Sequence, residues 1–308
     1  MIGPRKFSSK ILLFGEYSII KNSMALATPY RIFEGLLKFR QQEDISKSGV
    51  DSELRAFASY LRELKNKKSL LAALDMDTLE FDIGQGLFFE STIPQGFGVG
   101  SSGALCASIF DVYQRDKSIN QSTNLLILRE ILGQMEAHFH GASSGLDPLI
   151  CFLDKPLLLL DKNSIEVATL PVYNHGQGGI FLLNTHRPRR TEPLVHLFLE
   201  KCKDRSYQNN ELPDLISATN SCIQAFLEGS VGPLIENFKR LSEVQFVSLR
   251  PMIPGLFQNL WQKGLEEEKF FLKLCGAGGG GFLLGITRDF KIVREALAGQ
   301  EFRPIYYF

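Results

Sequence analysis

Three separated segments of the chain combine glycine, lysine and acidic residues in a way that suits phosphate chemistry. They are Lys10–Tyr17, Pro94–Ala104 and Lys273–Phe282. The middle segment is a glycine-rich loop that leads into a predicted helix. Its small residues let backbone N–H groups approach a polyanion, and the positive N-terminal end of the helix strengthens that attraction. The sequence therefore predicts a phosphate-binding loop.

The loop differs from two common nucleotide-binding motifs. A P-loop needs Lys and then Ser or Thr directly after its last glycine, whereas two serines follow Gly100. The spacing GxGxxG occurs twice, at Gly98, Gly100 and Gly103 and again at Gly276, Gly278 and Gly281. A dinucleotide site would place this spacing in the first βαβ unit, with an acid about 20 residues later. The first match lies a third of the way along the chain and the second lies between two predicted strands, so neither favours a nicotinamide or flavin site.

Two carboxylates follow the loop, and together they can serve phosphoryl transfer. Glu136 lies late on a predicted helix, and Asp147 follows a Gly/Ser stretch that can return it to the end of that helix. One carboxylate can hold Mg²⁺, which takes oxygen ligands, while the other accepts or orients the proton of an attacking hydroxyl. Ser102 can add a hydroxyl ligand to the metal. Lys10 can pair with Asp147, which would lower its pKa, or contact the transferred phosphoryl group.

Each of these residues also has an ordinary structural interpretation. A glutamate late on a helix is commonly solvated, Asp before Pro is a common turn residue, and serines after glycines commonly cap helices. His138 and His140 lie where the end of a helix favours histidine, and the sequence offers no third nitrogen or sulfur ligand beside them. The stretch Arg187–Arg190 is either a solvated loop or a basic patch that faces an anionic substrate.

The hydrophobic pattern predicts the elements that must position these residues. In the first half it predicts strands at 7–14, 79–83, 86–91, 149–153 and 156–160 and helices at 52–72, 104–113 and 123–140. In the second half it predicts strands at 179–184, 270–275, 281–286 and 302–307 and helices at 192–202, 210–228, 232–248, 255–266 and 289–298. This arrangement indicates an α+β fold with helices on one face of an antiparallel sheet. Because Pro171 and a glycine cluster interrupt the pattern, we expect an N-terminal domain at 1–172 and a C-terminal domain at 173–308.

Composition narrows the class of protein. A chain of 308 residues suits about two domains and can bury a proper core. Its formal net charge is zero, which favours neither nucleic acid nor an anionic membrane surface as a partner. Five cysteines without a CxxC pair indicate a reducing compartment and disfavour a zinc site. Without a signal-like or membrane-spanning apolar run, the expected location is the cytoplasm.

In their order along the chain, the three segments resemble the motifs of the GHMP kinase superfamily. This group is named for galactokinase, homoserine kinase, mevalonate kinase and phosphomevalonate kinase. Within it, the mevalonate kinases are the most similar family, because their pattern of a glutamate, a His-Gly pair and Ser-Gly-x-Asp is matched by Glu136, His140-Gly141 and Ser144–Asp147. The stretch Asn184–Val195 is also similar to the segment that opens their C-terminal domain.

The resemblance implies a fold, cofactors and a substrate class. The fold would be a ribosomal-protein-S5-like N-terminal domain followed by a ferredoxin-like C-terminal domain. ATP and Mg²⁺ would be the cofactors. The partner would be a small molecule with a hydroxyl group, mevalonate in the most similar family, and a homodimer is an open possibility.

The resemblance also implies residue roles. Asp147 would be the catalytic base with Lys10 as its partner, and Glu136 and Ser102 would hold Mg²⁺. The residues that would hold the ATP phosphates are Gly96, Gly98, Gly100, Ser101, Ser102, Gly103 and Ala104. Those that would shape the substrate pocket are Glu16, Tyr17, Gly145 and Thr191. The glycines of the late turn are Gly276, Gly278 and Gly279.

Some features depart from the mevalonate kinase pattern. Tyr17 stands where that family usually has a histidine close to the substrate, and Gly103 replaces a more frequent alanine. A Gly-Glu-Tyr start is similar to bacterial phosphomevalonate kinases. Arg187, Arg189 and Arg190 would suit a phosphorylated substrate. A phosphomevalonate or sugar-type kinase is therefore the alternative. The spacing from Glu136 to Asp147 favours the mevalonate kinases. A member that binds ATP without turnover is a further hypothesis, which the presence of both acids and Lys10 disfavours.

Overall fold

The computed structural model describes residues 5–41, 51–116, 118–120, 122–172, 176–188 and 192–308. These residues form two compact units, described separately below. The first comprises 1–11, 28–94 and 99–155, and the second comprises 12–27, 95–98 and 156–308. These units divide near residue 155, whereas the domain boundary at 172/173 stays a prediction.

Two long strands belong to both units because the chain is continuous through them. They are β1, Phe7–Phe14, and β2, Ala25–Phe39. In the first unit the later part of β2 pairs antiparallel with β3, Leu87–Ser91. In the second unit the start of β2 pairs antiparallel with β4, Leu157–Asp161, which pairs in turn with β5, Ser164–Val167.

Five helices complete the described part of the first unit. They are α1, Ser52–Asn66; α2, Met76–Gly84; α3, Ser101–Tyr113; α4, Leu125–His140; and α5, Leu146–Leu153. Caps fix where several of them begin: the side chain of Asp51 accepts a hydrogen bond from the N–H of Leu54, and Asn124 accepts one from the N–H of Leu126. Helix α3 is apolar on nearly all sides, which is typical of a helix buried in a core.

The second unit is built on an antiparallel sheet of four strands in the order β7-β8-β6-β9. These strands are β6, Gly179–Asn184; β7, Phe271–Leu274; β8, Phe282–Thr287; and β9, Phe302–Tyr307. Its helices are α6, Glu192–Lys201; α7, Arg205–Asn209; α8, Glu211–Leu227; α9, Val231–Ser248; α10, Gly255–Glu267; and α11, Phe290–Ala296. Phe14, at the end of β1, lies against Phe226 of α8 and Phe238 of α9 in the core of this unit.

The α+β prediction is confirmed, but two predicted strands are wrong. Residues 79–83 belong to α2, because Asp75 caps a helix whose apolar positions Met76, Leu79 and Ile83 are buried at helical spacing. Residues 149–153 belong to α5, where every residue from Pro148 to Leu153 is buried. A short apolar run buried on all sides has no periodicity that separates a strand from a helix. Strands β2 and β5 and helix α7 were also not predicted.

Helix α3 begins three residues earlier than the pattern predicted, at Ser101 rather than Ala104. The earlier start matters because it places both serines of the loop in the first helical turn. All five cysteines are buried, and none of them forms a disulfide. Among the described helices, none is both long and apolar enough to cross a membrane.

Helix α10 offers a matched pair of glycines that tests how tightly the second unit is packed. A Cβ at Gly264 would lie 2.6 Å from the ring of Phe270 and 2.7 Å from its carbonyl oxygen, whereas a Cβ at Gly255 would meet nothing within 4 Å. We expect Gly264→Ala to lower the free energy of unfolding by about 1–3 kcal/mol, because backbone must move to admit the methyl group. Gly255→Ala should be neutral or stabilising by up to about 1 kcal/mol. Urea unfolding followed by circular dichroism measures both, and an unchanged Gly264→Ala variant would contradict the packing.

Candidate active site

The end of the glycine loop forms the N-terminus of α3, and glycine is required there by the side chains that pack against it. Gly100 is the N-cap residue with a φ of 83°, and no side chain caps the helix. A Cβ at Gly100 would lie 2.9 Å from Cγ of Lys10, and one at Gly103 would lie 2.9 Å from the carbonyl carbon of Asp147. Uncapped N–H groups with a positive helix end beside them suit an anion.

An ion pair between Lys10 and Asp147 lies at this helix end. Lys10 Nζ is 2.7 Å from Asp147 Oδ2. Strand β1 holds the lysine, whose backbone N–H donates to the carbonyl oxygen of Val99 at 2.9 Å. The lysine side chain is 8% exposed and the aspartate 32%, so the carboxylate is the partner that an incoming molecule can reach.

Asp147 owes its position to the sharp start of α5. Gly145 is the N-cap residue with a φ of 72°, and a Cβ there would lie 2.1 Å from the carbonyl oxygen of Arg129. Only glycine can therefore bring the chain this close to α4. Asp147 then stands in the first turn of α5, where a carboxylate is favoured by the helix dipole.

Glu136 is the second carboxylate, and it is almost completely buried on α4. Ser102 Oγ donates to its Oε1 at 2.9 Å, and Ser143 Oγ donates to its Oε2 at 2.5 Å. Burial, reinforced by the charge of Asp147, raises the pKa of Glu136 to about 7, although the two serines and Lys10 oppose the rise. The buried acid therefore lacks a full countercharge.

His140 completes this cluster and was given no role by the sequence analysis. Its Nε2 lies 3.0 Å from Ser102 Oγ. Burial lowers the pKa of His140, so the ring is favoured in its neutral form. The signal that could have identified it is its spacing: residues four apart share one face of a helix, so Glu136 and His140 both reach Ser102.

The oxygen atoms of this cluster fit a hard divalent cation. Two carboxylates and a serine hydroxyl are the donors that Mg²⁺ takes, and a cation beside Glu136 would relieve the repulsion that raises its pKa. Among the described residues there is no group of three or more His, Cys, Asp and Glu that could hold a metal unaided. The donor set therefore suits a cation that completes its shell with water and phosphate oxygens.

Glu16 and Tyr17, predicted to shape a substrate pocket, are buried in the second unit. Glu16 forms an ion pair with Lys273 of β7, and both side chains are at most 1% exposed. Lys273 Nζ also donates to the carbonyl oxygen of Leu274 at 2.7 Å. Burial raises the pKa of Glu16 and the charge of Lys273 opposes that rise. The phenol hydroxyl of Tyr17 donates to the carbonyl oxygen of Ala277.

We call these four residues, Glu16, Tyr17, Lys273 and Ala277, the Glu-Tyr clamp. Its polar groups bond to one another inside the unit, so any influence of Glu16 and Tyr17 on a substrate would act through the clamp. Sequence reasoning missed Lys273 as a partner, since a single lysine within a strand carries no signal of burial. Thr191 lies outside the described residues, as do Arg189 and Arg190.

The clamp bonds to the start of the late glycine turn. Gly276, Gly278, Gly279 and Gly281 all have φ between 70° and 77°. The N–H of Gly279 donates to Met252 and that of Gly281 to Arg187, at 2.6 and 2.7 Å. A Cβ at Gly281 would lie 2.4 Å from the carbonyl oxygen of Phe97, which belongs to the early part of the phosphate loop together with Gly96 and Gly98.

Comparison with known proteins identifies the fold that carries this cluster. Residues 57–155 match the family model described as GHMP kinases N terminal domain. This part of the chain is therefore similar to that domain. Curated relatives from Dictyostelium discoideum and Archaeoglobus fulgidus, both named mevalonate kinase, are 23% identical to the chain. The alignments cover 91% and 92% of this chain and 86% and 91% of the relatives.

Solved structures agree with the family match. The Streptococcus pneumoniae phosphomevalonate kinase in complex with phosphomevalonate and AMPPNP gives a TM-score of 0.67 at 16% identity, covering 99% of this chain and 100% of that one. The L. major mevalonate kinase in complex with R-mevalonate gives 0.59 at 14% identity, covering 96% and 90%. The family match confirms the resemblance to the GHMP kinases, and these structural likenesses confirm the two-domain α+β architecture. The residue roles stay predictions.

The raised pKa of Glu136 has a consequence for the stability of the first unit. The pKa of Glu136 is about 7 in the folded state and 4.5 in the unfolded chain, so the folded state binds the proton more tightly. The stabilisation that protonated Glu136 gives the folded state is therefore fully present below about pH 4.5 and is lost as pH rises through 7. Glu136→Gln cannot ionise. We expect the metal-free variant to match wild type near pH 5 and to exceed it at pH 8, by up to about 3 kcal/mol. Thermal unfolding in EDTA at both pH values measures the difference.

The control for this measurement is Glu130→Gln, which changes an exposed glutamate on the same helix. The opposite result, a Glu136→Gln variant less stable than wild type at pH 8, would show that the buried carboxylate is fully compensated.

The Glu-Tyr clamp predicts a cost for removing one hydroxyl. Tyr17→Phe keeps the ring, which lies 4.9 Å from the ring of Phe198, but deprives the carbonyl of Ala277 of its donor. We expect the free energy of unfolding to fall by about 1–3 kcal/mol. Tyr307→Phe, at a half-exposed tyrosine of the same unit, is the matched control and should change little. Equal midpoints for the two variants in calorimetry would exclude a stabilising clamp.

Proposed function

We propose that the chain is an ATP- and Mg²⁺-dependent kinase that phosphorylates the hydroxyl group of a small molecule, mevalonate being the best candidate. The observation that carries this proposal is the first unit's cluster: the ion pair of Lys10 and Asp147 lies at the uncapped N-terminus of α3, whose Ser102 bonds to the buried Glu136. Phosphoryl transfer needs positioning and charge neutralisation more than covalent help from the protein, and these groups supply both.

Asp147 is the proposed base. Its exposed carboxylate can accept the proton of the attacking hydroxyl or orient that hydroxyl toward the phosphorus. Lys10 pairs with Asp147, and its ammonium group can also attract the transferred phosphoryl group. Because the glycines at 100 and 103 leave no room for side chains, the two residues stay packed against the helix end.

The loop from Gly96 to Ala104 is the proposed phosphate site, with backbone N–H groups and the end of α3 as donors. Glu136 and Ser102 would hold Mg²⁺. When bound, the metal supplies neutralisation of charge on the phosphate oxygens. Ser143 and His140 keep the two ligands in place, since each bonds to one of them.

Mevalonate is proposed as the acceptor because the curated relatives that align with nearly the whole chain are named mevalonate kinases. Gly145 would help to shape the substrate pocket through its close approach to α4. Glu16 and Tyr17 would do so through the Glu-Tyr clamp. Phosphomevalonate and galactose-like sugars are the acceptors to test against mevalonate, since solved structures with the same fold include kinases named for them.

Replacement of the proposed base tests both the reaction and its acceptor. Asp147→Asn should lower kcat by about 10²–10⁴, because the amide cannot accept the proton. The assay is ADP release by purified protein with ATP and Mg²⁺, with mevalonate, phosphomevalonate and sugars offered separately. Asp154→Asn is the matched control: this residue lies at the other end of α5, has a left-handed φ of 52° that Asn tolerates, and forms an exposed ion pair with Arg31.

Three outcomes separate the alternatives. Turnover of mevalonate that Asp147→Asn loses and Asp154→Asn keeps would support the proposal. Turnover of another acceptor alone would keep the kinase site and reassign the substrate. Near wild-type turnover by Asp147→Asn would remove Asp147 from its role, and ATP binding without turnover on any acceptor would favour a non-catalytic member of the superfamily.

A further inference from the structure

Ser102 lies between two polar side chains of α4, and only one of them belongs to the proposed metal site. Its Oγ is 2.9 Å from Glu136 Oε1 and 3.0 Å from His140 Nε2. Both partners come from the last turns of one helix, which ends directly after His140 at Gly141. The hydroxyl is therefore held from one side by two groups whose separation the helix fixes.

The number of hydrogens and lone pairs on the Ser102 hydroxyl determines the direction of its hydrogen bonds to Glu136 and His140. A serine hydroxyl has one hydrogen and two lone pairs. Ser102 Oγ donates to Glu136 Oε1, so the one hydrogen of the hydroxyl lies on that bond. His140 must then donate its Nε2–H to Oγ, which occupies one lone pair. One lone pair is left, and its direction is fixed by the other two bonds.

We propose that His140 is a positioning residue for the metal site, which it serves by holding Ser102 so that its one remaining lone pair is available to the divalent cation. This role rests on the proposed function for the cation but not for the acceptor. Without His140, the hydroxyl could turn about its Cα–Cβ bond and lose this orientation, even though Glu136 would still accept its hydrogen. His140 itself contacts neither the phosphates nor the reacting atoms in this role.

The neighbouring histidine provides the matched control. His138 lies two residues earlier on α4 and its ring stacks against Phe57 and Tyr60, at centroid distances of 5.4 and 5.1 Å. It therefore belongs to the packing of α4 on α1. Replacing it changes the same residue type on the same helix without touching Ser102.

The first experiment measures cation binding directly. Mn²⁺ affinity in the presence of ADP is measured by electron paramagnetic resonance for wild type, His140→Leu, His140→Gln, His140→Asn and His138→Leu. We expect about 10-fold weaker Mn²⁺ binding for His140→Leu, a usual cost of losing a group that orients a metal ligand. His140→Gln should recover most of it, because its amide N–H₂ can occupy the place of Nε2–H. The asparagine side chain of His140→Asn is too short to reach Ser102, so this variant should resemble His140→Leu. The difference in Mn²⁺ affinity between the Gln and Asn variants therefore tests the role of His140 even if His140→Leu folds poorly.

The second experiment asks whether His140 acts through Ser102. In a Ser102→Ala background, His140→Leu should cause no further loss of Mn²⁺ affinity, because the group that it orients is gone. ADP affinity in EDTA should stay within about twofold of wild type in the single His140 and His138 variants, since a positioning role toward the metal leaves the nucleotide's other contacts intact. Additive losses in the double variant would contradict the proposal.

The remaining outcomes are distinguishable from a failure of the proposed function. Wild-type protein that binds Mn²⁺ with ADP while His140→Leu binds it equally well would overturn the role of His140 and leave the kinase site intact. An equal loss in His138→Leu would show a general effect on α4 and would also overturn it. Wild-type protein that binds no Mn²⁺ with ADP would overturn the proposed metal site and this role together. The identity of the acceptor enters none of these measurements.

Discussion

The first unit is organised around an incomplete balance of charge at the start of α3. Two carboxylates, Glu136 and Asp147, share this region with one ammonium group, that of Lys10. The lysine pairs with the more exposed acid, so the buried one is left with two serine hydroxyls as its hydrogen-bond donors. A buried carboxylate without a countercharge is unfavourable, and either a proton or a cation relieves it. The cluster therefore favours cation binding before any nucleotide is considered.

Close packing makes this balance possible, and it explains why the residues around the charges are small. Gly100 and Gly103 let Lys10 and the start of α5 approach α3 at distances that a Cβ would prevent, and Gly145 does the same between α5 and α4. These three contacts pack together the three helices that carry Ser102, Glu136 and Asp147 within one unit. Groups held by packed helices lose little of their orientation to thermal motion, which is what catalysis by positioning requires. The glycines thus contribute to the chemistry through distance as well as through exposed N–H groups.

Sequence reasoning could bring Glu136 and Asp147 together because only a short Gly/Ser stretch separates them. Lys10 and Ser102 are distant from these acids in sequence, and their roles beside them came from the family resemblance. The buried partner of Glu16 could not be predicted in this way, because Lys273 is 257 residues away. Strand β2 was missed because Pro29, Gly35 and its charged residues interrupt the alternating pattern, and pairing with β3 and β4 overrides those weak local preferences.

The Glu-Tyr clamp gives Tyr17 a physical meaning that its position in a family motif does not convey. Tyr17 has a φ of 61°, and a side-chain-bearing residue in such a conformation costs on the order of 1–3 kcal/mol unless its surroundings hold it there. Three interactions stabilise this conformation: the bond of its hydroxyl to Ala277, its contact with Phe198 and the adjacent buried ion pair. A histidine at this position has no phenol hydroxyl to donate to the carbonyl oxygen of Ala277. The tyrosine therefore bonds the segment after β1 to the glycine turn. The bond to Ala277 therefore fixes the segment that follows β1 within the second unit. The departure from the family pattern at Tyr17 therefore has a structural cause within this chain and does not by itself speak for a different acceptor.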